Sequence, residues 1–544
     1  MYIRRANIFT YTHLYIWCYA QHLCSSFASH IPPVICDRKQ PCIAMAFSGS
    51  YIRSFCEESQ PEPLLGPRSS NHKHAKKRRL RGKTCTQPDI PSSFRQRLLP
   101  AFVQCAVSSL NAAARRALRS SFPIGPEPVV LTVGTACSGS ELYLTALPLL
   151  QRELGRLLGK GVRFVHMWSC EKHPAKRAWI VDNFHPPKLF GDITRLADAG
   201  GCYDYMSQAL QKVDPVDILI AGTSCKDASR LNPHHADRLN AVDARTHSTG
   251  STFSGLMELV RKLSGTCRLV FLENVTSLGD RDRATGRSNL DGVADAMRGA
   301  GYMFVCRAFS AEDMGLPVCR PRLYMAGSLG ACETSSQSVA DQIIDGIVAV
   351  APRLHLDMLL LPEYEPLLMM QDWLPDAMGR EAAYIPASTP AAWEEEHLQQ
   401  WAGVPDGHIQ QVAQELGPNV WARSLSARQR DLLTLTLSTP GFSRHGSAGI
   451  ALNKSLGWSH QGTAGRLHTL VPGSVYWMVQ RNRLLTGVEA LRLQGCDISD
   501  LEALQPGKYK SAFLQDLAGN AFCVYQFVAW FLACLVTTDF GHRV

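Results

Sequence analysis

Between residues 128 and 330, apolar runs alternate with stretches of helical spacing. "PVVLTVGTA" (128–136) is an apolar, β-branched run that reads as a strand. "ELYLTALPLLQRELGRLLGK" (141–160) repeats its apolar positions at helical spacing. A second strand, "VRFVHMWSC" (162–170), and a second helix, "PAKRAWIVDNF" (174–184), follow. "KLFGDITRL" (188–196) carries a short third strand, and "VDILIAGTS" (216–224) is a fourth. "TFSGLMELVRKL" (252–263) is helical, and "CRLVFLENV" (267–275) is the fifth strand. "YMFVCRAFS" (302–310) and "PRLYMAG" (321–327) complete the set without a long helix between them, which predicts an antiparallel hairpin at one edge. Strands and helices in this rhythm predict right-handed βαβ units, and hence an α/β fold with a doubly wound, mostly parallel, Rossmann-like sheet.

The pattern divides the chain. Residues 1–125 show little periodicity and read as an N-terminal extension, largely disordered, with an Ala/Arg-rich helix expected within 101–121. Residues 126–330 form the sheet domain. Residues 331–477 lose the alternation and carry acidic, Trp-bearing and Gly/Ser/His-rich stretches such as "AAWEEEHLQQWAG" and "STPGFSRHGSAG". They read as a separate inserted module. Residues 478–544 regain helical periodicity in "RNRLLTGVEALRLQG" and "DLAGNAFCVYQFVAWFLACL" and return to the first domain.

Composition narrows the class. The chain of 544 residues is 45% hydrophobic and 19% charged, enough for a full core. Its net charge of +9 is compatible with a polyanionic partner. Its eighteen cysteines include no CxxC pair, so neither a zinc finger nor a metal site is expected, and the thiols read as reduced and intracellular. The opening "MYIRRANIFTYTHLYIWCYA" is a weak targeting signal, interrupted by Thr10, Thr12 and His13. No run of eighteen apolar residues occurs, so no membrane span is expected. "KHAKKRRLRGK" places seven Lys/Arg between Lys73 and Lys83, including Lys76, Lys77, Arg78 and Arg79. That run reads as a nuclear localisation or nucleic-acid patch, so the nucleus is the expected location.

Ligands of a doubly wound sheet bind at the C-terminal ends of its strands. After the first strand comes "GTACSGSE", whose Gly139 lets the backbone approach a ligand, although the loop is not a dinucleotide GxGxxG. The second strand ends at Glu171, placed to accept bonds from ribose hydroxyls, and the third ends in "FGDI" with Asp192 and Ile193. Two acids around a glycine loop suit a neutral or cationic nucleoside, and S-adenosylmethionine fits. Taken singly, each acid would pass for a surface or helix-capping residue. The fourth strand presents Cys225, which by itself could be a nucleophile, a metal ligand or a small core residue. The fifth strand brings Glu273, and the last brings Arg320 and Arg322. A thiol that adds to an electron-poor ring, an acid that protonates a ring nitrogen and a guanidinium that bonds a ring carbonyl together make a kit for chemistry on a base.

These residues resemble the motifs of the C5-cytosine DNA methyltransferases. The resemblance covers roughly 128–330 and 478–535. "TACSGSE" resembles the family's cofactor loop, "GTSCKDAS" its nucleophile motif, "LENV" its Glu-Asn-Val motif and "VCRPR" its Gln-x-Arg-x-Arg motif. "RLLTGVEALRLQG" and "LAGNAF" resemble its two C-terminal motifs. The resemblance implies a cytosine flipped from double-stranded DNA, attack by Cys225 at C6, Glu273 at N3, Arg322 at O2, and methyl transfer from S-adenosylmethionine to C5. Asn274 would fix the local loop and Arg320 would orient its neighbours. Cys137, Ser138, Gly139, Glu171, Asp192, Ile193, Gly222 and Asn520 would hold the cofactor. The loop after Cys225 would close over DNA through Arg230, Arg245, Ser248 and Thr249. The 331–477 region would be the target-recognition domain, with Arg423, Arg428, Arg430, Arg444, His445 and Arg466 toward bases or phosphates. The chain departs from the family pattern at Ser224 (usually Pro), Cys137 (usually Phe) and Val318 (usually Gln). Two other readings share the residues: the same chemistry on RNA, and a catalytically impaired nucleic-acid-binding homologue.

Overall fold

The computed structural model describes residues 97–541, apart from 138, 233, 235–241, 243–247, 330–332, 363–398, 400–401, 440–441, 443–448, 455–464, 502–503 and 505–507. The basic run at 73–83, Ser138, Arg245, Arg444 and His445 lie outside the described residues. In chain order, the first elements are α1 (Leu99–Ser108), α2 (Ala112–Ser120), β1 (Val129–Ala136), α3 (Leu147–Leu158), β2 (Val162–Cys170), α4 (Pro174–Phe184), β3 (Leu189–Phe190), β4 (Cys202–Asp204), β5 (Ala209–Gln211), β6 (Ile218–Gly222), α5 (Ser248–Leu263), β7 (Leu269–Asn274), α6 (Asn289–Gly299), β8 (Met303–Ser310), β9 (Pro321–Ser328) and α7 (Glu333–Val350). There follow α8 (Asp406–Leu416), α9 (Val420–Arg423), α10 (Ala427–Ser438), β10 (Gly449–Ala451), β11 (Tyr476–Met478), β12 (Arg483–Leu484), α11 (Gly487–Arg492), α12 (Ser511–Asn520) and α13 (Val524–Thr537).

Nine strands form one sheet in the order β5-β4-β3-β2-β1-β6-β7-β9-β8. The β3-β2-β1-β6-β7 core is parallel, and β9 enters antiparallel between β7 and β8. The expected α/β sheet and its antiparallel edge pair are both present. The opposite edge carries a further small hairpin, β4–β5, whose strands are too short to read from sequence. The central strands are continuously apolar because both faces are covered. Strand periodicity then divides them between two cores. Ile218, Ile220, Leu269 and Phe271 face one core with α1, α3, α7 and α13. Leu219, Ala221, Val270 and Leu272 face the other with α5 and α6.

Three expected boundaries shift. The end of the N-terminal extension is part of the main core: Leu99, Phe102, Val103 and Ala106 of α1 are buried, and Phe102 stacks on Tyr525 of α13 at 4.0 Å. The helix expected within 101–121 is two, broken where the Asn111 side chain caps α2. Helix α7 also belongs to the main core, through Ala340, Ile343, Ile344 and Ile347, the spacing of one helix face. A separate third core gathers α8 and α10 with the sheet β10-β11-β12. That small sheet joins the two bodies, with Ile450, Trp477 and Leu484 facing the third core and Ala451, Tyr476 and Met478 the first.

The stretch Ser511–Thr537 is long and apolar enough to cross a membrane, with a mean hydropathy of 1.6, but 94% of its most apolar window is buried inside the fold. Its polar Gln515, Asp516, Asn520 and Gln526 interrupt the run, so the sequence contains no unbroken apolar span. It is core helix here.

A fully buried ion pair closes the junction ahead of α11. The Glu489 carboxylate, 0% exposed, accepts two bonds from Arg483 at 2.6 and 3.0 Å. It also accepts the Thr486 and Leu361 backbone N–H groups at 2.8 and 2.7 Å. Glu489→Ala strands the buried guanidinium and two backbone donors, so denaturant unfolding should read a loss of about 3–5 kcal/mol. A loss below about 1 kcal/mol would show that the junction tolerates the unpaired charge.

Candidate active site

A cleft of about 1020 Å³ opens at the C-terminal ends of β1, β2, β6 and β7. Parallel pairing sets its catalytic wall. Gly222 at the end of β6 lies opposite Glu273 on β7, and Cys225 follows three residues later on the loop. Leu323 of β9 pairs with Asn274, which carries Arg322 to the same rim. Arg322 Nε bonds Glu273 Oε1 at 3.1 Å, and both side chains are 12% exposed. Cys225, Glu273 and Arg322 all line the cleft.

Burial governs the chemistry of this wall. It raises the Glu273 carboxyl above the ordinary range, and Arg322 and Arg320 offset part of that rise. Burial also pushes the Cys225 thiol up, with the charge of Glu273 adding to it and Arg322 opposing it. The resting wall therefore favours a protonated thiol beside an acid whose proton is held to higher pH than usual.

The other sequence-predicted catalytic residues are supports. Asn274 donates from Nδ2 to the Thr223 carbonyl at 3.2 Å and to its hydroxyl at 3.0 Å, fixing the residues before the nucleophile. Arg320 is 2% exposed and donates to three backbone carbonyls: Leu470 at 2.6 Å, Gly519 at 3.2 Å and Ala521 at 2.6 Å. It ties β9 to the inserted segment and to the returning C-terminal segment. Burial, with Arg322 alongside, lowers its pKa to about 10. Val318 is fully buried and bridges Leu467, so the position usually held by Gln packs the seam to the insert.

At the far end of the cleft, Gly139 sits at φ +68, where a Cβ would come within 3.2 Å of the Asn520 carbonyl. Only glycine lets the two segments approach this closely. Gly222 is similarly confined: a Cβ there would come within 2.7 Å of the Phe522 ring. Glu171 is 8% exposed and accepts the His173 N–H at 2.7 Å, and burial raises its carboxyl. Cys137 holds φ +53 and its thiol is pushed up to about 12 by burial, then by Glu171 and Asp192. Cys137, Gly139, Glu171, Gly222 and Asn520 all line the cleft. Asp192 and Ile193 are not among its walls. Asp192 caps a short turn through Thr194 at 3.0 Å and lies 3.7 Å from Lys172. Ile193 is buried in the second core, because the turn after β3 rotates its side chain inward.

The expected nucleic-acid contacts are redistributed. Arg230 pairs with Asp280 through bonds of 2.9 and 2.5 Å. Thr249 is fully buried and bonded to Asp227, which makes it a loop clamp rather than a phosphate contact. Ser248 begins α5. Arg466 pairs with Glu312, and Arg428 holds the 452–454 turn through the Leu452 and Lys454 carbonyls. Lys454, His468, Thr469 and Tyr476 of the insert line the cleft. No sequence signal pointed to these four, because they reach it only through the seam at 467–472.

Comparisons with known proteins agree with this geometry. Residues 156–529, more than half of the chain, match the family C-5 cytosine-specific DNA methylase. The chain is 29% identical over 418 residues to the DNA (cytosine-5-)-methyltransferase DMT5 of Cryptococcus neoformans, covering 72% of this chain and 16% of that protein. It is 28% identical over 170 residues to the Type II methyltransferase M.NlaIV of Neisseria lactamica, covering 30% of this chain and 34% of that one. The chain thus spans only a minor part of the curated relatives it matches. Among solved structures, the S. pombe Dnmt2 methyltransferase aligns with a TM-score of 0.38 at 14% identity, covering 75% of this chain and 98% of that one. With the family matched across both the nucleophile loop and the returning C-terminal segment, the chain belongs to the C-5 cytosine-specific DNA methylases.

Proposed function

We propose that this protein is a DNA cytosine-5 methyltransferase that uses S-adenosylmethionine and a covalent Cys225 adduct. The observation that carries the reading is the convergence of Cys225, Glu273 and Arg322 on one wall of a cleft whose other end is the Gly139–Glu171–Asn520 corner. Two features of that corner fit the cofactor: backbone at Gly139 that carries no side chain, and the buried Glu171 carboxylate for ribose hydroxyls. When bound there, S-adenosylmethionine supplies an electrophilic methyl group.

The chain's own residues then divide the work. Cys225 Sγ gives up its proton and forms a bond to C6 of a flipped-out cytosine. Glu273 delivers a proton to N3, so the electrons of the C5–C6 double bond collect at C5 without leaving a full negative charge on the ring. Arg322 orients the Glu273 carboxyl and presents its guanidinium to the ring carbonyl O2. Once C5 carries the methyl group, its proton passes to solvent, the C6–S bond breaks with its electrons leaving on Cys225, and N3 returns its proton to Glu273, which restores the ring.

The test is trapping. Fluorine at C5 blocks the final proton loss, so incubation with S-adenosylmethionine and a 5-fluorocytosine duplex should leave an adduct that survives denaturation. An adduct on a fluorinated RNA and none on DNA would move the activity to RNA. No adduct on either, with cofactor still bound, would leave a non-catalytic binding protein.

A further inference from the structure

The family pattern places proline before the nucleophile, and this chain has Ser224. The structure offers a substitute that proline could not provide. Ser224 retains a backbone N–H, and it donates to Thr252 Oγ1 at 3.3 Å. The Thr252 hydroxyl in turn donates a hydrogen bond to the Thr249 carbonyl at 3.0 Å, one turn back in α5. Two residues after the nucleophile, Asp227 and Thr249 bond reciprocally. The Thr249 N–H donates to Asp227 Oδ2 at 2.8 Å, and the Asp227 N–H donates to Thr249 Oγ1 at 3.1 Å. Asp227 is 4% exposed and Thr249 is 0% exposed, so water does not compete for these bonds. The first turn of α5 therefore grips the loop on both sides of Cys225, at positions 224 and 227.

We infer that Thr252, with Thr249 and Asp227, positions the nucleophile, and that this hydrogen-bonded clasp takes over the stiffening that proline gives by fixing φ. The inference rests on the proposed covalent mechanism, and it gives a role to Thr252 and Asp227, which the family motifs leave without one. Thr252 touches the backbone beside Cys225 and acts through it, so it is a positioning residue. The clasp also predicts a coupling. Proline at 224 has no N–H to donate, so Thr252 should matter only while residue 224 is serine.

The experiment is a double-mutant cycle on the full chain with Thr252→Val, Thr252→Ser, Ser224→Pro and the Ser224→Pro/Thr252→Val double. Three readouts are taken: the rate of adduct formation on the 5-fluorocytosine duplex, the KM for S-adenosylmethionine, and the alkylation rate of Cys225 by iodoacetamide resolved by peptide mass spectrometry. Thr252→Val should slow adduct formation roughly ten- to a hundredfold, as a small misplacement of a reacting atom does, with the cofactor KM unchanged. It should also speed alkylation of Cys225 at least about threefold, because a loosened loop opens more often. A merely destabilised protein would also expose buried Cys267 and Cys534 to iodoacetamide, whereas a loosened loop leaves their alkylation unchanged. Thr252→Ser should restore both, and in the chain carrying Ser224→Pro, Thr252→Val should cost no more than about twofold. Equal penalties in the serine and proline backgrounds, or unchanged alkylation in Thr252→Val, would overturn the clasp. If the unsubstituted protein forms no adduct, the proposed function fails, and alkylation alone then decides the clasp.

Discussion

Replacing Cys225 with alanine should abolish the 5-fluorocytosine adduct and lower methyl transfer by roughly 10³-fold or more. The size of the effect follows from the chemistry. C5 of cytosine is a poor nucleophile until a group adds at C6, and among the described residues two cysteines line the cleft, Cys225 and Cys137. Cys137 is disqualified electrostatically: its thiol is pushed up to about 12 by burial and by the acids Glu171 and Asp192, so it contributes almost no thiolate at neutral pH. Cys225 is also raised, but Arg322 and Arg320 pull its thiol back toward ionisation. The substitution should leave stability within roughly 1 kcal/mol, because the side chain is small and only partly buried. Mass spectrometry of the denatured adduct should place it on the peptide containing Cys225. Turnover within about tenfold of the unsubstituted protein would remove the covalent mechanism.

Glu273→Gln should lower adduct formation by about 10²–10⁴-fold and change the shape of its pH profile. Attack requires the Cys225 thiolate and the Glu273 acid at the same moment. Both groups are raised by burial, and the thiol titrates above the carboxyl. Between the two pKa values, each rise in pH gains thiolate and loses the acid in equal proportion. The unsubstituted rate should therefore be nearly flat across that interval, rising below it and falling above it. Glutamine cannot lose a proton in this range. Its variant should be slow everywhere but climb about tenfold per pH unit until Cys225 ionises. Parallel profiles for the two proteins would show that Glu273 supplies no proton. An activity change below about threefold would show that attack does not need the Glu273 carboxyl.

Much of the site was legible before any coordinates. Chemistry-bearing residues sit at strand ends, and strand ends announce themselves: an apolar run stops, and Glu171, Cys225 or Glu273 follows. Parallel pairing of β6 with β7 then brings Cys225 and Glu273 to one wall, as a doubly wound sheet with neighbouring fourth and fifth strands would. Asp192 and Ile193 stand outside the cleft's lining and follow β3, which is only two residues long. A strand that short does not control which way the following turn faces, and Ile193 turned into the second core. Arg230 lines the cleft, as a cation on this loop suggests, and only the structure shows Asp280 paired with it.

The sequence by itself determined whatever depends on local pattern: the alternation that makes the sheet, the order of its strands along the chain, and the identities of thiol, acid and guanidinium. These are readable because hydrophobic period and strand ends are properties of neighbours in the chain. Only the tertiary structure decided what depends on residues far apart in sequence. Helices α1 and α7 joined the main core because their apolar faces met α13 and the sheet. Arg320 became a tie rather than a ligand because carbonyls at 470, 519 and 521 converge on it. Ser224 lost the rigidity of proline and regained it through Thr252, 28 residues away. Loop closure over such separations is stabilised by packing and buried hydrogen bonds, and no window of local sequence records which partners will be found.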